Sequence, residues 1–232
     1  MSYTPIFSPQ LSAKNKTSNL PGDHTSEEIY IYTDEITLAL NVALATGRPL
    51  LIRGTSGSGK TSLARNVAFQ LDCHYREAII TSHSQARDLM WTTDLLRRLQ
   101  DSQVGRLSND WRTYVVPGAL WWAFDPASAH TQTLFSMPES NCTETSAQHR
   151  RTVLLIDEID KEDPDVPNSL LRPIGDLAFE VEETGQRVVA QCPTPLVVIT
   201  TNEERDLPLA FLRRCVELNM PAFDRMRLIS IG

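Results

Sequence analysis

The stretch Gly54-Thr55-Ser56-Gly57-Ser58-Gly59-Lys60-Thr61 fits the pattern G-x-x-x-x-G-K-[ST]. Each position in that pattern has a physical reason. The glycines let the backbone curl until consecutive N–H groups point inward at phosphate oxygens. Lys60 is placed to reach the β- and γ-phosphates of a nucleotide, and the Thr61 hydroxyl to ligate Mg²⁺. Background glycine and lysine usage yields such a match in roughly one per cent of chains this long. The flanks lower that further. Leu50-Leu51-Ile52 reads as a short buried strand before the loop. After it, Leu63, Val67 and Leu71 recur every four residues, with Ala64 and Ala68 beside them, which predicts a helix. The N-terminus of that helix, from Lys60 through Thr61 and Ser62, points at the anion.

Working outward, composition sets bounds. The chain has 232 residues, 41% of them hydrophobic, enough for one sizeable core. A net charge of −7 gives no support to general nucleic-acid binding. Cys73, Cys142, Cys192 and Cys215 are scattered without a C-x-x-C pair, which argues against a zinc site or a disulfide framework. The N-terminus has no signal-peptide pattern, and no apolar run approaches the roughly 20 residues a membrane helix needs. The expectation is a soluble, cytoplasmic protein with no membrane partner.

Residues 1–26, polar and rich in Pro and Gly, are expected to form a flexible or surface-draped arm, with Ile6 and Phe7 able to dock. Thr33 or Asp34 caps a helix through Ile36, Leu40, Ala43 and Leu44 that Gly47 ends. Ala78-Ile79-Ile80-Thr81 reads as a second buried strand, and the strand–helix–strand run implies a parallel sheet. Residues 82–125 are less regular, with helical stretches at 88–91 and 95–99 and a turn into a helix at 115–120. Residues 126–150 are expected to be a mobile loop.

Thr152-Val153-Leu154-Leu155-Ile156 predicts a central strand buried on both faces, ending in Asp157-Glu158. This is a Walker B pattern. Asp157 is expected to hold Mg²⁺ through water, and Glu158 to orient and deprotonate the attacking water. Asp160, Glu162, Asp163 and Asp165 read as a solvated loop. Residues 168–177 predict a helix that Pro173 kinks or shortens. A hairpin over 179–189 turns at Glu183-Thr184-Gly185. Pro195 to Thr200 is a further apolar strand followed by Thr201-Asn202, and 209–212 is a short helix running into Arg213-Arg214.

This ordered set resembles the AAA+ ATPases, and within them the MoxR-like group, over roughly residues 30–225. The pieces that carry the resemblance are Arg48-Pro49-Leu50-Leu51-Ile52-Arg53-Gly54, Leu154-Leu155-Ile156-Asp157-Glu158-Ile159-Asp160, Ile199-Thr200-Thr201-Asn202 and Phe211-Leu212-Arg213-Arg214-Cys215. The resemblance implies an α/β fold: a P-loop NTPase three-layer αβα sandwich with a mainly parallel sheet, an insertion in the second helix at about 84–125 and a pre-sensor-1 hairpin. It implies a nucleotide-binding core over 27–225 that binds and hydrolyses ATP with Mg²⁺. The phosphate site would be Gly54, Thr55, Ser56, Gly57, Ser58, Gly59, Lys60, Thr61 and Ser62, and the metal would sit on Thr61 and Asp157. Glu158 would be the base and Asn202 the sensor 1 residue. Arg214, with Arg213 as second choice, would be a finger reaching a neighbour's nucleotide in a homo-oligomeric ring of usually six subunits. The client would be a protein, and members of this group often work with von Willebrand factor A-type proteins. Residues 226–232 look like the entrance to the family's helical lid, so sensor 2 has no position here. A fragment, a lidless variant and a lid supplied by another chain all stay open.

Two other readings differ in class. A nucleotide-binding switch or assembly module would hydrolyse little. A small-molecule P-loop kinase fits poorly with Asp-Glu after the strand, because a kinase must exclude water. The tryptophans Trp91, Trp111, Trp121 and Trp122 are expected to pack in the core or insertion rather than form a partner surface.

Overall fold

A computed structural model describes residues 5–9, 30–80, 85–136, 150–161 and 165–220. Helix α1 (Asp34–Thr46) begins at Thr33, whose side chain accepts from the Ile36 N–H, and ends where Gly47 turns left-handed at φ 68°. Strand β1 (Leu50–Arg53) leads through the glycine-rich loop into α2 (Lys60–Gln70), and β2 (His74–Ile79) follows. The next segment holds α3 (Ala86–Met90), β3 (Trp91–Thr93), α4 (Leu95–Gln103), β4 (Val115–Pro117), α5 (Ala119–Phe124) and α6 (Pro126–Ser136). Then come β5 (Thr152–Asp157), α7 (Asp165–Asp176), β6 (Ala178–Val181), β7 (Gln186–Val189), β8 (Leu196–Thr201), α8 (Leu209–Leu212) and β9 (Val216–Asn219).

Five strands form one parallel sheet in the order β2-β5-β8-β1-β9. The register aligns Leu51 with Ile199 and Ile199 with Ile156, so the carboxyl ends of β1, β5 and β8 lie side by side. Side chains alternate between two cores. Leu50, Ile52, Val153, Leu155, Leu196 and Val198 pack with α1 and α2 on one face. Leu51, Leu154, Ile156, Val197 and Ile199 pack with α5, α7 and Phe211 on the other. Burial on both faces is why β5 reads as an unbroken apolar run. Each of its four aliphatic side chains is fully buried, worth about 1.5–3 kcal/mol relative to exposure. This is the expected three-layer αβα sandwich.

Several local expectations change. The second strand starts at His74, ahead of the expected 78–81, and lies at the sheet edge, where Ile79 is 64% exposed. The strand is partly exposed along its length rather than buried. The expected mobile loop at 126–150 begins instead with helix α6; residues 137–149 lie outside the described residues. The cause is local. Asp125 accepts the Ser128 N–H at 3.0 Å, and Pro126 occupies the first helical position, where no N–H is needed. Gln132 then turns inward, donating to the Arg112 and Val115 carbonyls at 2.7 Å each. Pro173 does not end its helix, which runs on to Asp176. Pro173 is buried within it, beside Ile174. Residues 115–117, expected as a turn, form β4 against β3, and β9 was not anticipated.

Part of the N-terminal arm is tied down. The Phe7 N–H donates to Asn41 Oδ1 and Asn41 Nδ2 donates back to the Phe7 carbonyl, both at 2.8 Å, with Phe7 buried. The tryptophans pack as expected. Trp91 and Trp121 are buried, and Trp111 and Trp122 lie under the Arg98 and Arg76 guanidinium groups at 3.9 and 4.3 Å. The antiparallel β3–β4 pair and the β6–β7 hairpin are joined by Glu183, which accepts from Trp91 Nε1 at 2.7 Å and Thr93 Oγ1 at 2.6 Å. Among the described residues, no helix is long and apolar enough to cross a membrane.

Candidate functional site

The glycine-rich loop leaves the carboxyl end of β1, an interior strand of the sheet, and enters α2 at Lys60. Gly57 and Gly59 take φ of 79° and 84°, a left-handed conformation that suits glycine. Gly54 has no room for a side chain: a Cβ there would lie 2.3 Å from the Met220 carbonyl oxygen and 3.0 Å from Ser58 Oγ. Thr55, Ser56 and Gly57 are exposed at the loop crown, and Ser62 is half-buried in the first turn of α2. The Ser58 hydroxyl is buried and has no hydrogen-bond partner among the described residues.

Lys60 is folded back into this loop. Its ammonium donates to the Gly54 carbonyl at 2.7 Å, the Thr55 carbonyl at 3.0 Å and Asn202 Oδ1 at 2.8 Å. Burial pulls its pKa down, while Asp157, Asp160, Glu158 and Glu203 push it up; burial wins, leaving it below the ordinary lysine value.

The acids after β5 stand beside the loop because β8 alone separates β5 from β1. Thr61 Oγ1 donates to Asp157 Oδ2 at 3.3 Å, and Thr200 Oγ1 donates to Asp157 Oδ1. The same Thr200 hydroxyl accepts the Glu158 N–H at 2.9 Å, and Glu158 sits at φ 61°, rare for a residue with a side chain. The Glu158 carboxylate is held at both oxygens. Asn202 Nδ2 donates to Oε1 at 3.1 Å, and Lys161 Nζ lies 2.7 Å from Oε2. That contact with Glu158 raises the Lys161 pKa.

One expectation about the acids is overturned. Asp160, read from sequence as part of a solvated loop, is 3% exposed, and its carboxylate accepts the Asn202 N–H at 3.2 Å and the Glu204 N–H at 2.9 Å. The short helical turn Ile159–Lys161 swings it inward under the end of β8. Glu162 and Asp163 lie outside the described residues, and the side chain of Asp165 likewise. Among the described residues, no group of three or more His, Cys, Asp or Glu side chains is gathered to hold a metal. Thr61 and Asp157 supply two hard oxygen donors, which suits Mg²⁺, an ion that keeps several waters and completes its shell with phosphate oxygens.

Arg213 and Arg214 stand apart from this cluster, both exposed at the end of α8. Arg214 donates to the Ala210 carbonyl at 3.4 Å and lies along α7 beside Gly175. Among the described residues it makes no hydrogen bond or ion pair to Asp157, Glu158 or Asn202. Arg48, just ahead of β1, donates to the carbonyls of Arg213, Arg214 and Cys215 and so caps this helix end. Three residues that sequence reasoning missed are therefore Arg48, Asp160 and Thr200. The acid two positions beyond Glu158 was visible as a signal; the inward turns of Arg48 and Thr200 were not. A cavity of 410 Å³ opens beside the cluster, lined by Ile79, Ile80, Glu158, Asp160, Lys161, Glu204 and Arg205.

A central parallel sheet, a glycine-rich loop ending in Lys60-Thr61 and an acid pair at the end of β5, one strand removed from β1, together define a P-loop protein of the αβα class. The chain belongs to the AAA domain family, dynein-related subfamily, whose model matches residues 49–215. Its fold is similar to a solved structure described as "a putative ATPase from Cytophaga hutchinsonii", with TM-score 0.53 at 16% identity, covering 82% of this chain and 46% of that one. A Thermotoga maritima RuvB mutant also matches, with TM-score 0.49 at 18% identity, covering 85% of this chain and 47% of that one. The chain thus spans less than half the length of either structure. No curated protein matches the chain in sequence at a significant level.

Proposed function

We propose that the protein binds Mg-ATP and hydrolyses it, as a MoxR-like AAA+ ATPase with a nucleotide-binding core over residues 27–225. The observation that carries this reading is the convergence at Asn202. One side-chain amide, from the end of β8, touches Lys60 at 2.8 Å and Glu158 at 3.1 Å. A loop lysine, an acid and an orienting amide at those separations match the needs of phosphoryl transfer to water. The loop amides and Lys60 hold the phosphates. Thr61 and Asp157 hold the metal, which neutralises charge on the β- and γ-phosphates when bound. Glu158 accepts the proton of the attacking water, and Asn202 positions that water. To do so, Glu158 must leave Lys161 and Lys60 must leave the loop carbonyls.

Arg214 has no counterpart in its own site, which favours its use in trans. In this reading a neighbouring subunit supplies it, in a homo-oligomeric ring of about six. Such fingers contribute on the order of 10³–10⁵ in rate. The cycle would drive remodelling or maturation of a protein client, with a von Willebrand factor A-type protein as the candidate class. The test is ATPase activity measured against protein concentration for the wild type and Glu158→Gln. The expected result is activity per subunit that rises with concentration in the wild type and is lost in the variant. Equal activity in both would remove Glu158 from its role.

A second reading has its own observation. Glu158 and Lys60 are both fully engaged within the chain. A site satisfied by its own residues can act as an occupancy switch that binds nucleotide and turns over little. ATP binding by both proteins, with no turnover by the wild type at any concentration, would favour that switch.

A further inference from the structure

We infer that Asp160 is a positioning residue for hydrolysis, acting through Asn202 rather than on nucleotide or metal. This rests on the ATPase reading above. Three consecutive backbone N–H groups at the end of β8 are each taken by a side-chain oxygen. Asn202 N–H donates to Asp160 at 3.2 Å, Glu203 N–H to Thr201 Oγ1 at 3.0 Å and Glu204 N–H to Asp160 at 2.9 Å. Glu203, between the two amides that Asp160 binds, sits at φ 63°. Successive amides turned to one side make an anion-binding concavity. Here the anion is the chain's own carboxylate, 3% exposed.

The consequence falls on Asn202. Its amide must present oxygen to the Lys60 ammonium and nitrogen to the Glu158 carboxylate, because the reverse would place like polarities together. Only a backbone held at one position lets a short side chain meet both. Asp160 supplies that hold from the turn Ile159–Lys161, directly after Glu158. The acid strand and the Asn202 strand are thereby locked to each other beyond the ends of their ladder. A displacement of about 1 Å at such a group costs on the order of 10²-fold in rate.

The experiment is steady-state ATPase kinetics on Asp160→Asn, Asp160→Ala, Asn202→Ala and Asp160→Asn/Asn202→Ala, with fluorescent ATP-analogue affinity measured alongside. Asp160→Asn keeps shape and one acceptor oxygen, so it remains informative if the alanine variant does not fold. The expected result is kcat reduced on the order of 10–100-fold in Asp160→Ala and less in Asp160→Asn. KM and analogue affinity stay near wild type. The decisive arm is the double variant: with Asn202 already removed, Asp160→Asn lowers kcat little further. Independent, multiplying effects of the two substitutions would overturn the inference. So would equal losses in kcat and affinity, or wild-type kcat in both Asp160 variants. A wild type that hydrolyses nothing overturns the ATPase reading and this one with it. An active wild type with indifferent Asp160 variants overturns this one alone.

Discussion

Replacing Thr200 with valine tests the geometry of the site most directly. Valine matches threonine in shape and suits a central strand, so only the hydroxyl is lost. That hydroxyl does two things: it donates to the Asp157 carboxylate and accepts the Glu158 N–H. Thr200 is 0% exposed, so water cannot replace it. A hydrogen bond to a charged group contributes about 1.5–3 kcal/mol, and a buried N–H left without a partner costs about 1–3 kcal/mol. The two need not add, because the strained Glu158 peptide can turn once released and recover part of its roughly 1–3 kcal/mol. The expected net loss is about 2–4 kcal/mol. It is read as a lower urea midpoint at unchanged slope, without nucleotide. Thr200→Ser, which keeps the hydroxyl, should cost much less. In the ATPase assay Thr200→Val should need more Mg²⁺ and turn over slowly, because Asp157 and Glu158 both lose their anchor. A stability loss under about 1 kcal/mol, or equal losses in the serine and valine variants, would refute the reasoning.

Other expectations follow from packing and charge. Gly118→Ala would place a Cβ 2.5 Å from the carbonyl oxygens of Asp88 and Leu89, both backbone. It should cost about 1–3 kcal/mol, seen as a fall in Tm. Glu183 is pushed up by burial, but hydrogen bonds from Thr93, its own backbone and Trp91 pull it further down, so its pKa lies below the ordinary glutamate value. Its contribution is full above that ordinary value and lost as pH falls through the depressed one. The stability gap between wild type and Glu183→Gln should therefore close on acidification, in urea unfolding followed by tryptophan fluorescence. Burial raises the Cys73 thiol to about 11 and Cys215 to about 12, while Cys192 is exposed. Since thiolate is the reactive form, Cys192→Ser should remove one fast-reacting thiol at pH 8 in an aromatic-disulfide assay. Cys73→Ser and Cys215→Ser should leave that fast count unchanged.

The central features were legible in the order of residues. Thr152 to Ile156 is apolar without alternation, and only a strand covered on both faces can bury it. Glycines before Lys60, a Thr33 cap and the Gly185 turn are local chemistry, readable from neighbours a few positions away. Helix α6 was also written locally, in Asp125 and Pro126, although its polar composition disguised it.

Local sequence carried strands β1, β5 and β8, the glycine-rich loop, the acid pair and the family. Which distant groups meet is set by the packing of the sheet. Asn202 lies 142 residues from Lys60 and 44 from Glu158, and it reaches both because β8 lies between β1 and β5. Arg48 caps carbonyls 165 to 167 residues away. Asp160 looks in sequence like any solvated acid. It becomes the anchor of a loop because a turn buries its carboxylate against N–H groups that must find a partner once water is excluded. Such pairings follow from sheet order, which no short window of sequence contains.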